Sequence, residues 1–275
     1  MINAVGNRMT REIGRQQRLA DQLERTQIQI STGKKLQRMS DDAVAARRIA
    51  TIGKTQASME SWAANINSAT ALASQADGVL KAASSLMTRA RELTVAAASD
   101  GMSPTDRATV AAEISAIADE LDALAVTRDA NGEPLFASGA ARVMRFDSDV
   151  SFAPVPSAAD VFVSGGNALS TGLRDAAAAV AASDRAGMDA ALVTLGNSIA
   201  HVADANASLG LSLGRLERVG DALAGRGIAL ADERSMVEDT DLSVAIAQLN
   251  AQDLTLGAAQ AAFAKINRQT LFDLL

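Results

Sequence analysis

The sequence contains no cysteine and no tyrosine, one histidine, one tryptophan and four prolines, and aromatic residues make up 3% of it. Without cysteine there is no disulfide, no thiol nucleophile and no zinc–thiolate site. One histidine falls short of a histidine-built metal centre. His201 has Asp204 one helical turn away, and the pair reads as structural rather than ligating. Few aromatics leave little material for a thick globular core, whereas the abundant alanine and leucine suit closely packed long helices. All four prolines fall between Pro104 and Pro156. A helix interior loses about 3 kcal/mol to a proline, so the chain reads as two proline-free helical arms around a central irregular region.

Long hydrophobic runs are also missing. The longest, near Ala176 to Ala182, is far too short to span a bilayer. Arg8, Arg11, Arg15 and Arg18 interrupt the first residues, so no signal-peptide pattern is expected there. The formal net charge is −6, unevenly spread: residues 1–60 carry 11 basic and 6 acidic side chains, the remainder 15 and 26. Solvated helix faces account for this. The basic residues are not interleaved with aromatics, so no nucleic-acid partner and no membrane insertion are expected.

Heptads fill both arms. Ile2, Met9, Leu23 and Ile30 share a seven-residue track, with Gln16 as its polar gap and Val5 and Leu19 beside it. Ile52, Met59, Ile66, Ala73, Leu80 and Met87 form a second track on a helix expected from about Asp41 to Ser99, roughly 90 Å long. Leu195 begins the clearest series, repeated every seven residues through Val202, Leu209, Leu216, Leu223, Leu230 and Val237 to Val244. Glycines at 210, 214, 220, 225 and 227 weaken that helix, so it either flexes there or is closely approached by a neighbour. A last track is Leu242, Leu249, Leu256 and Phe263, with Ile246 and Ile266 alongside.

Punctuation divides the chain. In "STGKKLQRMSDDAVAARRIA" Gly33 is a helix stop and Ser40 an expected N-cap, followed by Asp41 and Asp42. Ser103 and Pro104 start a shorter helix running to about Thr127. Asn131-Gly132 is a turn signal, and "VMRFDSDVSF" and "DVFVSG" read as short strands. Asp239 or Thr240 is the expected cap of the last helix. The fold expected is mainly α: an elongated bundle of long antiparallel helices from both chain ends, with coiled-coil-like terminal helices and a small central β-containing domain. Its expected divisions are an N-terminal assembly helix and joint (1–39), the two halves of a helical body (40–140 and 173–238), a β-rich outer domain (141–172) and a C-terminal assembly helix (239–275).

Catalytic chemistry is not legible. The carboxylates of "DELDAL" and "EDTD" point in different directions around a helix, and no cleft is evident to make them an acid–base pair. "VSGGNALSTG" lacks the Lys-Ser/Thr ending of a phosphate loop and reads as a connector. No enzyme, no metal and no cofactor is expected. Terminal helices with thin apolar stripes gain most of their stability from packing. Even when paired they leave apolar surface uncovered. Other subunits are the expected partners, and disorder of the ends before assembly is expected too.

Three separated motifs now carry a resemblance. "QIQISTGKKLQRMSDDAVAARR", "RARELTVAAASDG" and "VEDTDLSVAIAQLNAQDLTLGAAQAAFAKINRQTLFDLL" are similar to those of the flagellin superfamily, over roughly 1–140 and 185–275. "DANGEPLF" and "AAFAKINRQTLFDLL" resemble its hook-associated protein 3 branch, while "RARELTVAA" resembles filament flagellins, and Ala43 stands where the junction branch usually has proline. The resemblance implies a structural protein of the flagellum, outside the cell, exported through the flagellar type III apparatus without a cleaved signal peptide. It implies a junction between hook and filament, with a filament-forming flagellin as the alternative. The implied partners are a neighbouring hook-associated protein, flagellin, further copies of itself in a ring and a cytoplasmic export chaperone. The assembly contacts expected are Ile2, Val5, Met9, Leu23 and Ile30, with Leu242, Leu249, Leu256, Phe263, Ile266 and Leu271. A helical signalling module also carries such heptads, but would need a sensor domain or a membrane segment.

Overall fold

In the computed structural model the backbone is described for residues 2–99 and 101–272, and side-chain surroundings for residues 9–99 and 101–265. Seven helices are described: α1 (Ile2–Thr32), α2 (Ala43–Ala97), α3 (Pro104–Ala125), α4 (Ala158–Phe162), α5 (Leu169–Ala181), α6 (Arg185–Glu238) and α7 (Leu242–Phe272). Two small antiparallel hairpins pair β1 (Met144–Arg145) with β2 (Ser151–Phe152), and β3 (Val163–Ser164) with β4 (Asn167–Ala168). The chain is mainly α with a small β part, as its composition predicts. It divides into two compact units, residues 1–57 with 227–275, and residues 58–226.

The second unit holds the larger core. The seven-residue tracks point inward: Met59, Ile66, Ala73, Leu80 and Met87 on α2 are buried, as are Leu195, Val202, Leu209, Leu216 and Leu223 on α6. Alanines at 76, 83, 90, 111, 118, 176 and 191 are buried between them, which is how a chain with few aromatics fills its core. α3 packs along α5, burying Ile114, Leu121 and Leu173. Helix α6 runs unbroken through its glycines. A Cβ would meet nothing within 4 Å at Gly210 or Gly225, and only ordinary contacts at Gly214 and Gly220. No close neighbour explains Gly210, Gly214, Gly220 or Gly225.

The central residues are anchored to this core. Phe146 is fully buried and packs tilted against Phe152, over whose ring the Arg215 guanidinium lies 4.2 Å from the centroid. Asn65 on α2 donates to the Arg145 carbonyl at 2.8 Å. Asp129 closes the "DANGEP" turn by accepting from the Asn131 and Glu133 amides. Phe136 and Phe162 meet edge to face at 5.2 Å.

Four local expectations change. "DVFVSG" is mostly helical: Ser157 and Asp160 form a reciprocal capping box that starts α4, and only Val163 and Ser164 enter a strand. "VSGGNALSTG" is a hairpin rather than a plain connector. Gly165 and Gly166, with φ of 60° and 84°, make its two-residue turn, and α5 follows directly. Ser40 does not cap α2; Asp42 does, accepting from the Val44 and Ala45 amides at 2.9 and 3.0 Å. Asp241, rather than Asp239 or Thr240, caps α7 by accepting from the Ser243 and Val244 amides. In both cases the carboxylate immediately before the first helical residue makes the cap. Ser103, in contrast, caps α3 as its position predicts, with Pro104 at the first helical residue.

Candidate assembly interface

The first unit is built on the two terminal helices. α1 and α7 pack against each other antiparallel, since Gly33 lies beside Thr240 while Thr26 lies beside Gln252. Their inward faces are thin. On α1, Leu19, Leu23 and Ile30 are half-buried and Thr26 is buried, its Oγ1 2.9 Å from Gln252 Oε1. On α7, Ala245 is buried and Leu249, Leu256 and Phe263 are half-buried. Gln16 interrupts the α1 face, and its buried Nε2 has no partner.

Gly33, at φ 69°, ends α1 in the left-handed region that only glycine enters without strain. The chain then meets the segment between α6 and α7. Lys34 and Asp239 form an antiparallel bridge, Lys35 N donates to the Glu238 carbonyl at 2.8 Å, and Thr240 N donates to the Gly33 carbonyl at 2.9 Å. Glu238 takes an ion pair from Lys34 and another from Arg234 at 2.8 Å; these cations hold its carboxyl below the usual range. Arg48 on α2 pairs with Glu233 on α6, and the Glu233 carboxyl is lowered for the same reason.

The eleven expected contact residues fall into three groups. Leu23, Ile30, Leu249, Leu256 and Phe263 are half-buried in the first unit. Met9 is 41% and Leu242 49% exposed. The side chains of Ile2, Val5, Ile266 and Leu271 lie outside the described residues. Sequence reasoning did not select the apolar side chains that are most exposed in this unit, Met39, Val44, Met236 and Leu254, each at least 76% exposed. Heptad spacing finds the buried side of a helix, so residues off the track escape it.

Among the described residues no cluster of three His, Asp or Glu side chains is placed to hold a metal, and no helix is long and apolar enough to cross a membrane. His201 is half-buried, with a buried Nε2 that has no partner.

Residues 2–141 match the bacterial flagellin N-terminal helical region. The chain is 28% identical to flagellar hook-associated protein 3 of Escherichia coli and 26% identical to the flagellar filament 30.7 kDa core protein of Treponema maltophilum, in each case over 90% of both chains. Its fold is similar to that of a solved hook-associated protein of Vibrio parahaemolyticus, with a TM-score of 0.67 at 16% identity, covering 72% of this chain and 99% of that one. With its first half matched to that helical region, the chain belongs to the bacterial flagellin family.

Proposed function

We propose that this chain is a hook-associated structural protein of the bacterial flagellum, joining the hook to the flagellin filament through its terminal helices. The observation that carries the reading is the α1–α7 pair: both chain ends are committed to one thin antiparallel layer whose own packing leaves large apolar side chains in solvent. Helices of this kind gain their remaining stability from neighbouring subunits. The likeness to hook-associated protein 3 over nearly the whole chain supports the junction role. The likeness to a filament core protein over the same extent supports a filament-forming flagellin as the second reading. No catalytic step belongs to either.

In this proposal the partners are flagellin, a neighbouring hook-associated protein and further copies of the chain in a ring. Export runs through the flagellar type III apparatus. A cytoplasmic chaperone holds α7, where Leu242, Val244, Ile246 and Leu254 are exposed and available. Removal of residues 242–275 should abolish chaperone co-purification; retention would place the chaperone site elsewhere.

Electron microscopy of cells lacking this gene, with flagellin intact, tests the role. Bare hooks with flagellin shed into the medium are the expected outcome. Shortened filaments would favour a filament subunit, and normal motile filaments would overturn both readings.

A further inference from the structure

Helices α1 and α7 meet along a regular seam. Gln16, Leu19, Leu23, Thr26 and Ile30 run along the covered face of α1, three and four residues apart in turn. On α7 the covered positions are Ala245, Leu249, Gln252, Leu256, Ala259 and Phe263, with the same alternation. That spacing is the seam of a two-stranded coiled coil. Such a seam has a built-in ambiguity. Sliding one helix by seven residues, about 10 Å, returns the same stripe to the same face.

One polar contact breaks the ambiguity. Thr26 is the most deeply covered described position of α1, at 3% exposed. Its hydroxyl lies 3.0 Å from the Gln22 carbonyl and 2.9 Å from the Gln252 side-chain amide. A hydroxyl has one hydrogen to give. With the amide turned so that its nitrogen donates to the hydroxyl, and the hydroxyl donating to Gln22, all three groups are paired.

Counted outward from Thr26 and Gln252, the antiparallel alternation sets Leu23 level with Leu256, Ile30 with Leu249 and Gln16 with Phe263. The buried Gln16 Nε2 that has no partner agrees with an aromatic neighbour at that level. A slide of one heptad sets Leu23 level with Leu249 or Phe263, and apolar still meets apolar. Thr26 then comes level with Ala245 or Ala259, and Gln252 with Leu19 or the end of α1. The hydroxyl and the amide part, and the covered amide loses its partner. The joint gives a weaker check: Lys34, Lys35 and Asp239 are exposed, so the backbone groups paired there regain water when they separate.

We infer that the Thr26–Gln252 pair is the register key of the α1–α7 coiled coil. It selects one of several heptad-related pairings, at the expense of an apolar layer that would bind more tightly but less specifically. It thereby decides which residues the helix pair turns outward; a one-heptad slide would carry the exposed Leu254 about 10 Å along α1. The inference stands on the α1–α7 pair alone and holds whatever the chain assembles with.

Thiol cross-linking of the full chain tests it, and the absence of native cysteine keeps the readout clean. Leu23→Cys with Leu256→Cys reports the register described, and Leu23→Cys with Leu249→Cys reports a one-heptad slide. Under mild oxidation of dilute protein the first pair should close at least about a hundredfold faster than the second, because disulfide geometry does not span the offset. Adding Thr26→Leu and Gln252→Leu should cut that preference at least about tenfold. Exchanging the residues, Thr26→Gln with Gln252→Thr, should keep most of it, since hydroxyl and amide still meet. Circular dichroism checks that the helices persist; if the leucine pair loses helix, Thr26→Val with Gln252→Met takes its place. A preference unchanged by the apolar pair would hand register to the joint and overturn the inference. So would an exchanged chain that slides as freely as the apolar one.

Discussion

Arg226 and Asp147 form a two-pronged ion pair that fastens the β1–β2 hairpin to α6. Both terminal nitrogens of Arg226 donate to the two carboxylate oxygens of Asp147, and Ser148 N donates to the same carboxylate at 2.7 Å. The Asp147 side chain is 9% exposed while Arg226 is 53% exposed.

That asymmetry makes a mutational prediction. Arg226→Ala leaves a buried carboxylate without its cation, and the cost should be about 1–3 kcal/mol, toward the lower end because water reaches the vacated site. Thermal unfolding of the variant against the unsubstituted chain measures it. Asp147→Asn should cost less, since the amide carries no charge to strand.

The same pair sets a pH dependence. Arg226, then the Ser148 amide, hold the Asp147 carboxyl below its ordinary value, and Lys34 and Arg48 do the same for Glu238 and Glu233. A carboxyl lowered by folding stabilises the fold fully above its unfolded pKa and loses that contribution as pH falls through the folded one. Stability should therefore be flat near neutrality and decline below about pH 4, the ordinary carboxylate range. Arg226→Ala should flatten part of that decline when denaturation midpoints are followed from neutral to acid pH.

Capping distinguishes two neighbouring residues. Asp42→Ala should lower helicity and amide protection at the start of α2, whereas Ser40→Ala should leave both unchanged, because only Asp42 accepts from the Val44 and Ala45 amides. Amide hydrogen exchange of residues 43–48 reads the difference directly.

Two glycines of α6 should respond in opposite directions to alanine. At Gly210 an added Cβ meets nothing within 4 Å, so Gly210→Ala should stabilise by up to about 1 kcal/mol. At Gly187 the Cβ would stand 3.0 Å from Ala179 Cβ and 2.5 Å from Asp184 Oδ2, so Gly187→Ala should destabilise as it forces α5 and α6 apart. Unfolding midpoints of the two variants decide it.

Leu249→Asp with Leu256→Asp places two charges on the face of α7 that packs against α1. The expected result is loss of the α1–α7 pair and of assembly, with residues 58–226 still folded. Limited proteolysis leaving a resistant central fragment would agree; melting of the whole chain would make α7 part of the main core.

The sequence by itself determined the helices and their inward faces. Period and propensity are local, so Ile66, Leu80, Met87, Leu195 and Leu209 could be placed in the core from spacing alone, and Ser103-Pro104 could be placed at a helix start. The stop at Gly33 was legible for the same reason, since no other residue enters that backbone region without strain. Tertiary structure decided what no single segment encodes. Lys34 meets Asp239, and Arg48 meets Glu233, only because antiparallel helices return the chain to its start. The buried carboxylate of Asp147 beneath Arg226 likewise joins residues far apart in sequence. Spacing along a chain says which side of a helix is apolar; which other helix covers it, and what remains uncovered, depends on contacts between residues far apart in sequence.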